Sequence, residues 1–298
     1  MRTQPELDLE ARQDMERKPD LAVIIVNWNV RDILLQNLHT LFEGNRDARF
    51  EVIVIDNASS DGSVDAVKEA FPNIHVIENT TNRGFAAAVN QGLKKLTAKN
   101  VLLLNPDMRV EPGALREIIQ FLNTNPGVGV LSGKLLDEKG RAMHHTRRFP
   151  TLLTQLAVLI KLPHLFPQVL HKYHGKDLDL EKEQSVDSVR GSFFAISDKA
   201  LQRVGHFDED FFIWFEEVDY CRRAKEAGLD VRYVPSIVAR DLIGRSFAKK
   251  NVYWKQKQFT ASMIRYFEKW HPRWQAAILK FLRPGVLIAA RLHDKMRA

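Results

Sequence analysis

The chain predicts an α/β fold: a doubly wound, mostly parallel sheet with helices on both faces, plus a C-terminal helical appendage. Three observations carry this. The short apolar runs LAVIIV (Leu21–Val26), EVIVI (Glu51–Ile55) and VLLL (Val101–Leu104) are continuous rather than alternating, as strands covered on both faces are. Segments of helical periodicity separate them, joined by short links, which is the alternation that builds βαβ units. Each run stops at a polar cluster: Asn27-Trp28-Asn29, Asp56-Asn57 and Asn105-Pro106-Asp107.

In order, Leu21–Val26 reads as the first strand and Arg31–Glu43 as a helix. Glu51–Ile55 is the second strand, followed by a polar turn from Asp56 to Ser63 and a helix to about Ala70. Asn73–Ile77 is the third strand and Phe85–Leu96 the helix after it. Val101–Leu104 is the fourth, closed by Pro106, which cannot donate to a ladder. The crossovers are expected to be right-handed. Pro112–Asn123 is helical with Pro in its first turn. Val128–Leu136 and the turn Asp137–Gly140 suggest antiparallel additions to the sheet. Thr151–Tyr173, rich in Leu, Pro and His, marks a helical insertion at 151–176. It is either packed on the domain or forms a lid or membrane-facing hairpin. Val186–Ile196 returns to strand, Phe215–Ala227 to helix and Val231–Val234 to strand. The expected organisation is a loose polar segment at 1–20, one catalytic domain at 21–250 and basic amphipathic helices at 251–298.

The 298 residues, 45% hydrophobic and 27% charged, suit one large α/β domain or two small ones. Cys221 is the single cysteine, so an intrachain disulfide framework and a cysteine-based zinc cluster are excluded and a reducing cytosol is the economical compartment. The first twenty residues lack the apolar core of a signal peptide or anchor, and no run reaches the roughly eighteen apolar residues of a spanning helix. The net charge of +7 is unevenly placed: Lys269, Arg273, Lys280, Arg283, Arg291, Lys295 and Arg297 face only Asp294 near the C-terminal end. Trp270, Trp274, Ile278, Phe281 and Leu282 interleave at near-helical spacing, which favours an anionic membrane surface over nucleic acid. The alternative is a helix docked by its apolar side with a solvated basic face.

Strand ends of a parallel sheet lie side by side, so the three polar clusters converge on one crevice. Taken alone, Asn105-Pro106-Asp107 is a turn after a strand. In that crevice a carboxylate such as Asp107 can hold a divalent cation against a diphosphate. Asp56 can accept from a base N–H or a ribose hydroxyl, and Arg83 can reach a base or a phosphate. G-x-G-x-x-G and G-x-x-x-x-G-K-[ST] are both absent, against a Rossmann dinucleotide site and a P-loop. The second dense cluster runs from Gly205 to Asp219 and sets five aromatics among six acids. Glu216, Glu217 and Asp219 fall at a helix start, where acids complement the macrodipole. Aromatic walls with carboxylates also suit a sugar, and a carboxylate half-buried by Phe and Trp has its pKa pushed toward the range of a general base.

The stretches IIVNWN, VIDNASSDGS, NRGFAAAVNQG, LLLNPD, RRFPT, VDSVRGSFFAIS and VGHFDEDFFIWFEEVDYCRRAKEAG, in this order, resemble family 2 glycosyltransferases of the GT-A fold, and within them the bacterial rhamnosyltransferase-like branch. The resemblance implies an inverting transfer of a sugar, rhamnose among the candidates, from a UDP- or dTDP-sugar to a glycan or polyprenyl-linked acceptor. It further implies cell-surface polysaccharide synthesis at the cytoplasmic face of the membrane. Around the donor it places Asn27, Asn29, Asp56, Asn57, Asp61, Arg83, Gly84 and Asn105, with Mg2+ or Mn2+ on Asp107. It makes Glu217 the catalytic base, supported by Glu216 and Asp219, with Gly191, Trp214 and Asp208 toward the sugar or acceptor. One departure stands out: Asp241 occupies the position where the family often has a metal-binding His before Gly244-Arg245-Ser246, and as a hard oxygen ligand it is expected to take the cation together with Asp107. Three alternatives stay open. They are a catalytically weakened nucleotide-binding or membrane-scaffold member of the same fold, an NDP-sugar nucleotidyltransferase, and, for the quaternary state, a homo-oligomer.

Overall fold

The computed structural model describes residues 18–242 and 251–296. Most of residues 1–20, and the Gly244-Arg245-Ser246 stretch, therefore lie outside the described residues. The first half follows the sequence pattern closely: β1 (Leu21–Asn27), α1 (Arg31–Gly44), β2 (Phe50–Asp56), α2 (Ser63–Ala70), β3 (His75–Glu78), α3 (Phe85–Leu93) and β4 (Asn100–Leu104). Then come β5 (Met108–Val110), α4 (Ala114–Thr124), β6 (Val128–Leu136), β7 (Ala142–Met143), β8 (Thr146–Arg147) and α5 (Leu152–Leu159). After two 3-10 turns follow β9 (Gln184–Ser185), β10 (Ser188–Val189), β11 (Phe193–Ile196), α6 (Asp198–Val204), α7 (Glu216–Glu226) and β12 (Asp230–Asp241). Two long helices, α8 (Val252–Trp270) and α9 (Arg273–Lys295), complete the chain.

The main sheet runs β3-β2-β1-β4-β11-β6-β12-β5. Its first four strands are mutually parallel, and β11 enters antiparallel to both β4 and β6. The strand period of two sorts the side chains of β1. Leu21, Val23 and Ile25 meet α1, α2 and α4 on one face, whereas Ala22 and Ile24 meet α3, α6 and α7 on the other. Both faces are thus covered, which is why the runs read as unbroken apolar stretches.

Three expectations are corrected in the second half. The addition at Val128–Leu136 is antiparallel to β7 and β11 but parallel to β12. The strand expected at Val186–Ile196 is broken, because β10 leaves the main sheet to pair with β8 and the chain rejoins it only at Phe193. The strand expected to stop at Val234 continues to Asp241. Pro235 is absorbed by a register shift between Val234 and Val238, against Gly133, where a Cβ would run into the Ile237 carbonyl. That extension carries Asp241 to Met108 on β5.

α5 is closed by a capping box between Thr151 and Thr154, and it packs Leu152, Leu156 and Leu159 onto the cluster formed by α8 and α9. The insertion is therefore packed, while Leu153, Ile160, Leu165, Phe166 and Val169 remain exposed. α8 and α9 form an antiparallel hairpin, with Asp294 accepting from the Val252 and Tyr253 N–H groups at 3.0 and 2.8 Å. None of the described helices is long and apolar enough to cross a membrane.

Candidate active site

The carboxyl ends of β1, β2 and β4 open onto two adjoining clefts that share Phe85, Asn105 and Ile213. The first is lined by Trp28, Asn57, Gly84, Pro106, Phe212 and Trp254. The second brings together Asp107, Arg190, Gly191, Trp214, Glu216, Glu217 and Asp241. Groups far apart in sequence converge here because parallel strands end at one edge.

Asn27 and Asp56 are register partners on β1 and β2, and Asn27 Nδ2 donates to Asp56 Oδ1 at 3.0 Å. Ser59 N–H donates to Asp56 Oδ2 at 2.7 Å, so the buried carboxylate is held from both sides. Asn57 donates to the Gly84 carbonyl at 3.1 Å, tying the second strand end to the start of α3. Gly84 sits at φ +84°, and a Cβ there would strike the Phe212 carbonyl oxygen. The Phe85 N–H donates to that same oxygen at 2.7 Å, so only glycine permits this approach.

Asn105-Pro106-Asp107 is a turn, closed by the Met108 N–H donating to the Asn105 carbonyl at 3.1 Å. The same turn buries Asp107 in the wall of the larger cleft. Asp241 is held beside it, since the Leu242 N–H donates to the Asp107 carbonyl at 3.1 Å. Among the described residues no group of three or more His, Cys, Asp or Glu could hold a metal ion. Two buried carboxylates, Asp107 in the turn before β5 and Asp241 at the end of the neighbouring β12, still fit a Mg2+ or Mn2+ ion, which commonly takes one or two protein carboxylates and completes its shell with phosphate oxygens and water.

Opposite stands the N-terminus of α7. Trp214 and Phe215 precede it at φ +65° and +69°, both left-handed, a conformation costing roughly 1–2 kcal/mol for each non-glycine residue. This turn aims Glu216 and Glu217 into the cleft. Burial, then the neighbouring Glu217 charge, raises the Glu216 carboxyl well above its ordinary range. Burial also raises Glu217, although its backbone hydrogen bonds and the Arg190 and Arg147 charges pull the other way. Among the described residues neither carboxyl's Oε2 finds a hydrogen-bond partner. Gly191 leaves room for Glu217, whose Cβ would lie 3.5 Å from any Cβ at that position.

Several expected site residues lie elsewhere. Asp219 is fully buried away from the cleft, with Arg223 and Lys269 each 2.8 Å away and the Trp270 indole N–H donating to it at 2.8 Å. It ties α7 to α8. Asp208 likewise meets Arg265 and Lys269, at 3.2 and 3.0 Å. Asn29 and Asp61 shape the β2–α2 turn: Asn29 Oδ1 accepts from Ser60 N–H at 2.8 Å, and Asp61 accepts from the Arg31 N–H at 2.9 Å and from Ser63. Both line a separate shallow recess. Arg83 is exposed and lines neither cleft. Conversely, sequence reasoning missed Arg190, Phe212 and Trp254. Arg190 and Phe212 stand inside stretches already singled out, VRGSFF and EDFFIW, but Trp254 belongs to the helical appendage and carried no local signal.

The family model described as Glycosyl transferase family 2 matches residues 22–205. A low-salt glycan biosynthesis hexosyltransferase, Agl10, of Haloferax volcanii is 26% identical over 219 residues, covering 71% of this chain and 64% of that protein. The N-acetylglucosaminyl-diphospho-decaprenol L-rhamnosyltransferase of Mycobacterium tuberculosis is 27% identical over 197 residues, covering 62% of this chain and 64% of that protein. The matches thus span 64% of the length of these two relatives. Among solved structures, a mannosyltransferase from Pyrobaculum calidifontis in complex with GDP-Man and Mn2+ aligns over 95% of this chain and 79% of its own, with a TM-score of 0.55 and 20% identity. That likeness fixes the fold as GT-A.

Proposed function

The chain belongs to glycosyl transferase family 2, and from that premise we propose that it is an inverting, metal-dependent glycosyltransferase. It moves a sugar, with rhamnose the first candidate, from a UDP- or dTDP-sugar to a hydroxyl of a glycan or polyprenyl-linked acceptor. It does so in cell-surface polysaccharide synthesis, at the cytoplasmic face of the membrane. The observation that carries this reading is the pair Glu216 and Glu217, raised in pKa, facing Asp107 across one cleft. The activity named for the mycobacterial relative supports the acceptor class.

In this mechanism Glu217 takes the proton of the acceptor hydroxyl as that oxygen attacks the anomeric carbon. The bond from that carbon to the diphosphate breaks on the opposite side, and configuration inverts in one displacement. Burial beside Glu217 raises the Glu216 carboxyl and so favours its neutral form, which limits like-charge repulsion on Glu217. Asp107 and Asp241 would hold the cation, which when bound supplies charge stabilisation to the departing diphosphate. Trp28, Phe212 and Trp254 give the neighbouring cleft the apolar walls that a base or a sugar face packs against.

The test is transfer or hydrolysis from a panel of UDP- and dTDP-sugars, with and without EDTA. Glu217→Gln should lose turnover and keep donor binding; a variant that kept most of its turnover would remove Glu217 as base. A second reading, a nucleotide-binding member with weakened turnover, draws on Arg190, which already engages Asp241. It predicts nucleotide binding without transfer to any acceptor.

A further inference from the structure

α9 presents two apolar faces. One is docked: Ala276, Leu279 and Ala290 are buried against the domain. The other points outward. Trp274, Ile278, Phe281, Ile288, Leu292 and Met296 are all exposed, Phe281 by 83%. At 3.6 residues per turn these six fall within about 40° of a single line along the helix, opposite the docked face. The stripe runs the length of a 23-residue helix, about 33 Å at the helical rise. Single exposed apolar side chains need no explanation; a continuous stripe of this length does.

What borders the stripe says what it meets. Arg273, Lys280, Arg291 and Lys295 project along one flank, Lys280 also reaching Glu268 and Arg291 lying over the Tyr253 ring. From 251 to 296 the hairpin carries nine basic residues and two acidic ones. The sole acid of α9, Asp294, is engaged with the α8 N-terminus. A second copy packed on this face would find no carboxylate on α9 to meet its basic flank. An anionic lipid surface offers both partners at once, acyl chains for the stripe and headgroup charge for the flank.

We propose that the outer face of α9 is a docking surface for an anionic lipid bilayer, on which the helix lies in the plane of the interface. α5 packs against the same hairpin, and Ile160, Leu165 and Phe166, which follow it in the chain, are exposed apolar side chains as well. The surface stands apart from the transferase reading, because none of its residues lines either cleft.

The experiment is flotation of the full chain with phosphatidylglycerol–phosphatidylcholine vesicles and with phosphatidylcholine vesicles, at low and high salt. Flotation with the anionic vesicles, weakened by salt, is expected. Phe281→Asp with Ile288→Asp, and separately Arg273→Glu with Lys295→Glu, should each weaken it by about tenfold or more. All four positions are exposed, so both variants should melt with the parent, and nucleotide binding in the cleft should stay unchanged. Absence of flotation, equal flotation on neutral vesicles, or undiminished flotation of folded variants would overturn the proposal. So would a dimer on sizing columns that Phe281→Asp dissociates, since it would give the face to a second copy.

Discussion

The Arg190 guanidinium lies 2.8 Å from the Asp241 carboxylate, Nη1 to Oδ2, in the wall of the cleft that Asp107 and Glu217 share. Asp241 is almost wholly buried and Arg190 partly exposed, so the arginine compensates a carboxylate that water barely reaches. The same guanidinium lowers the pKa of Glu217. One side chain thus acts on both carboxylates.

Removing that charge should expose both effects. Arg190→Met leaves Asp241 buried beside Asp107 without its cation, and should cost about 1–3 kcal/mol once the partial exposure of Arg190 is discounted. Mn2+ should restore much of that loss, which melting curves with and without the metal will measure. An equal deficit in both conditions would argue against a metal site at these two aspartates.

The acid limb of activity should lie above the ordinary carboxylate range, because burial raises Glu217 and the base works only when deprotonated. In Arg190→Met the limb should move to still higher pH. A pH profile of kcat/KM for both proteins reads this directly.

Glu216 makes a separate statement about stability. Its folded-state pKa is raised, so the stability it contributes is complete below its unfolded pKa and lost as pH rises through the folded value. Glu216→Gln should therefore raise Tm at pH 8 and leave it nearly unchanged at pH 4. A uniform shift at both pH values would point to packing instead of charge.

Asp107→Asn should weaken metal-supported donor binding by more than the roughly 10–100-fold typical of losing an outer partner of a metal ligand. Titration calorimetry with a nucleotide diphosphate, with Mn2+ and then EDTA, separates this loss from any effect on the base.

Asp219→Asn tests the reassignment of that residue. It breaks a buried contact to Lys269 and Arg223, which typically costs about 3–5 kcal/mol. The protein that remains folded should keep its kcat. A selective loss of kcat at unchanged Tm would return Asp219 to the catalytic group.

The first half of the fold was legible because its strands are buried on both faces and end in polar clusters, so pattern and topology say the same thing. For that reason the sequence places Asn27, Asp56, Asn105 and Asp107 at one edge of the sheet. The second half hid its site in interruptions. Arg190 reaches the cleft because β10 peels away from the sheet, and Asp241 because β12 runs on past Pro235 opposite Gly133. At α7 the dense acids separate, because Asp219 lies two residues beyond Glu217 and therefore about 200° around the helix, where it meets Lys269 and Trp270 of α8. Nothing near Trp254 distinguishes it in sequence, since its place depends on how the hairpin docks.

That hairpin is latched end to end. The Asp294 carboxylate holds the N–H groups of Val252 and Tyr253 from a position forty-two residues beyond Val252, and the next residue along is Trp254, a wall of the smaller cleft. A shift of α9 along or across its axis must either carry those two donors with it or leave them unmet. The outer helix and the indole in the wall of the smaller cleft are therefore joined through a single side chain, Asp294.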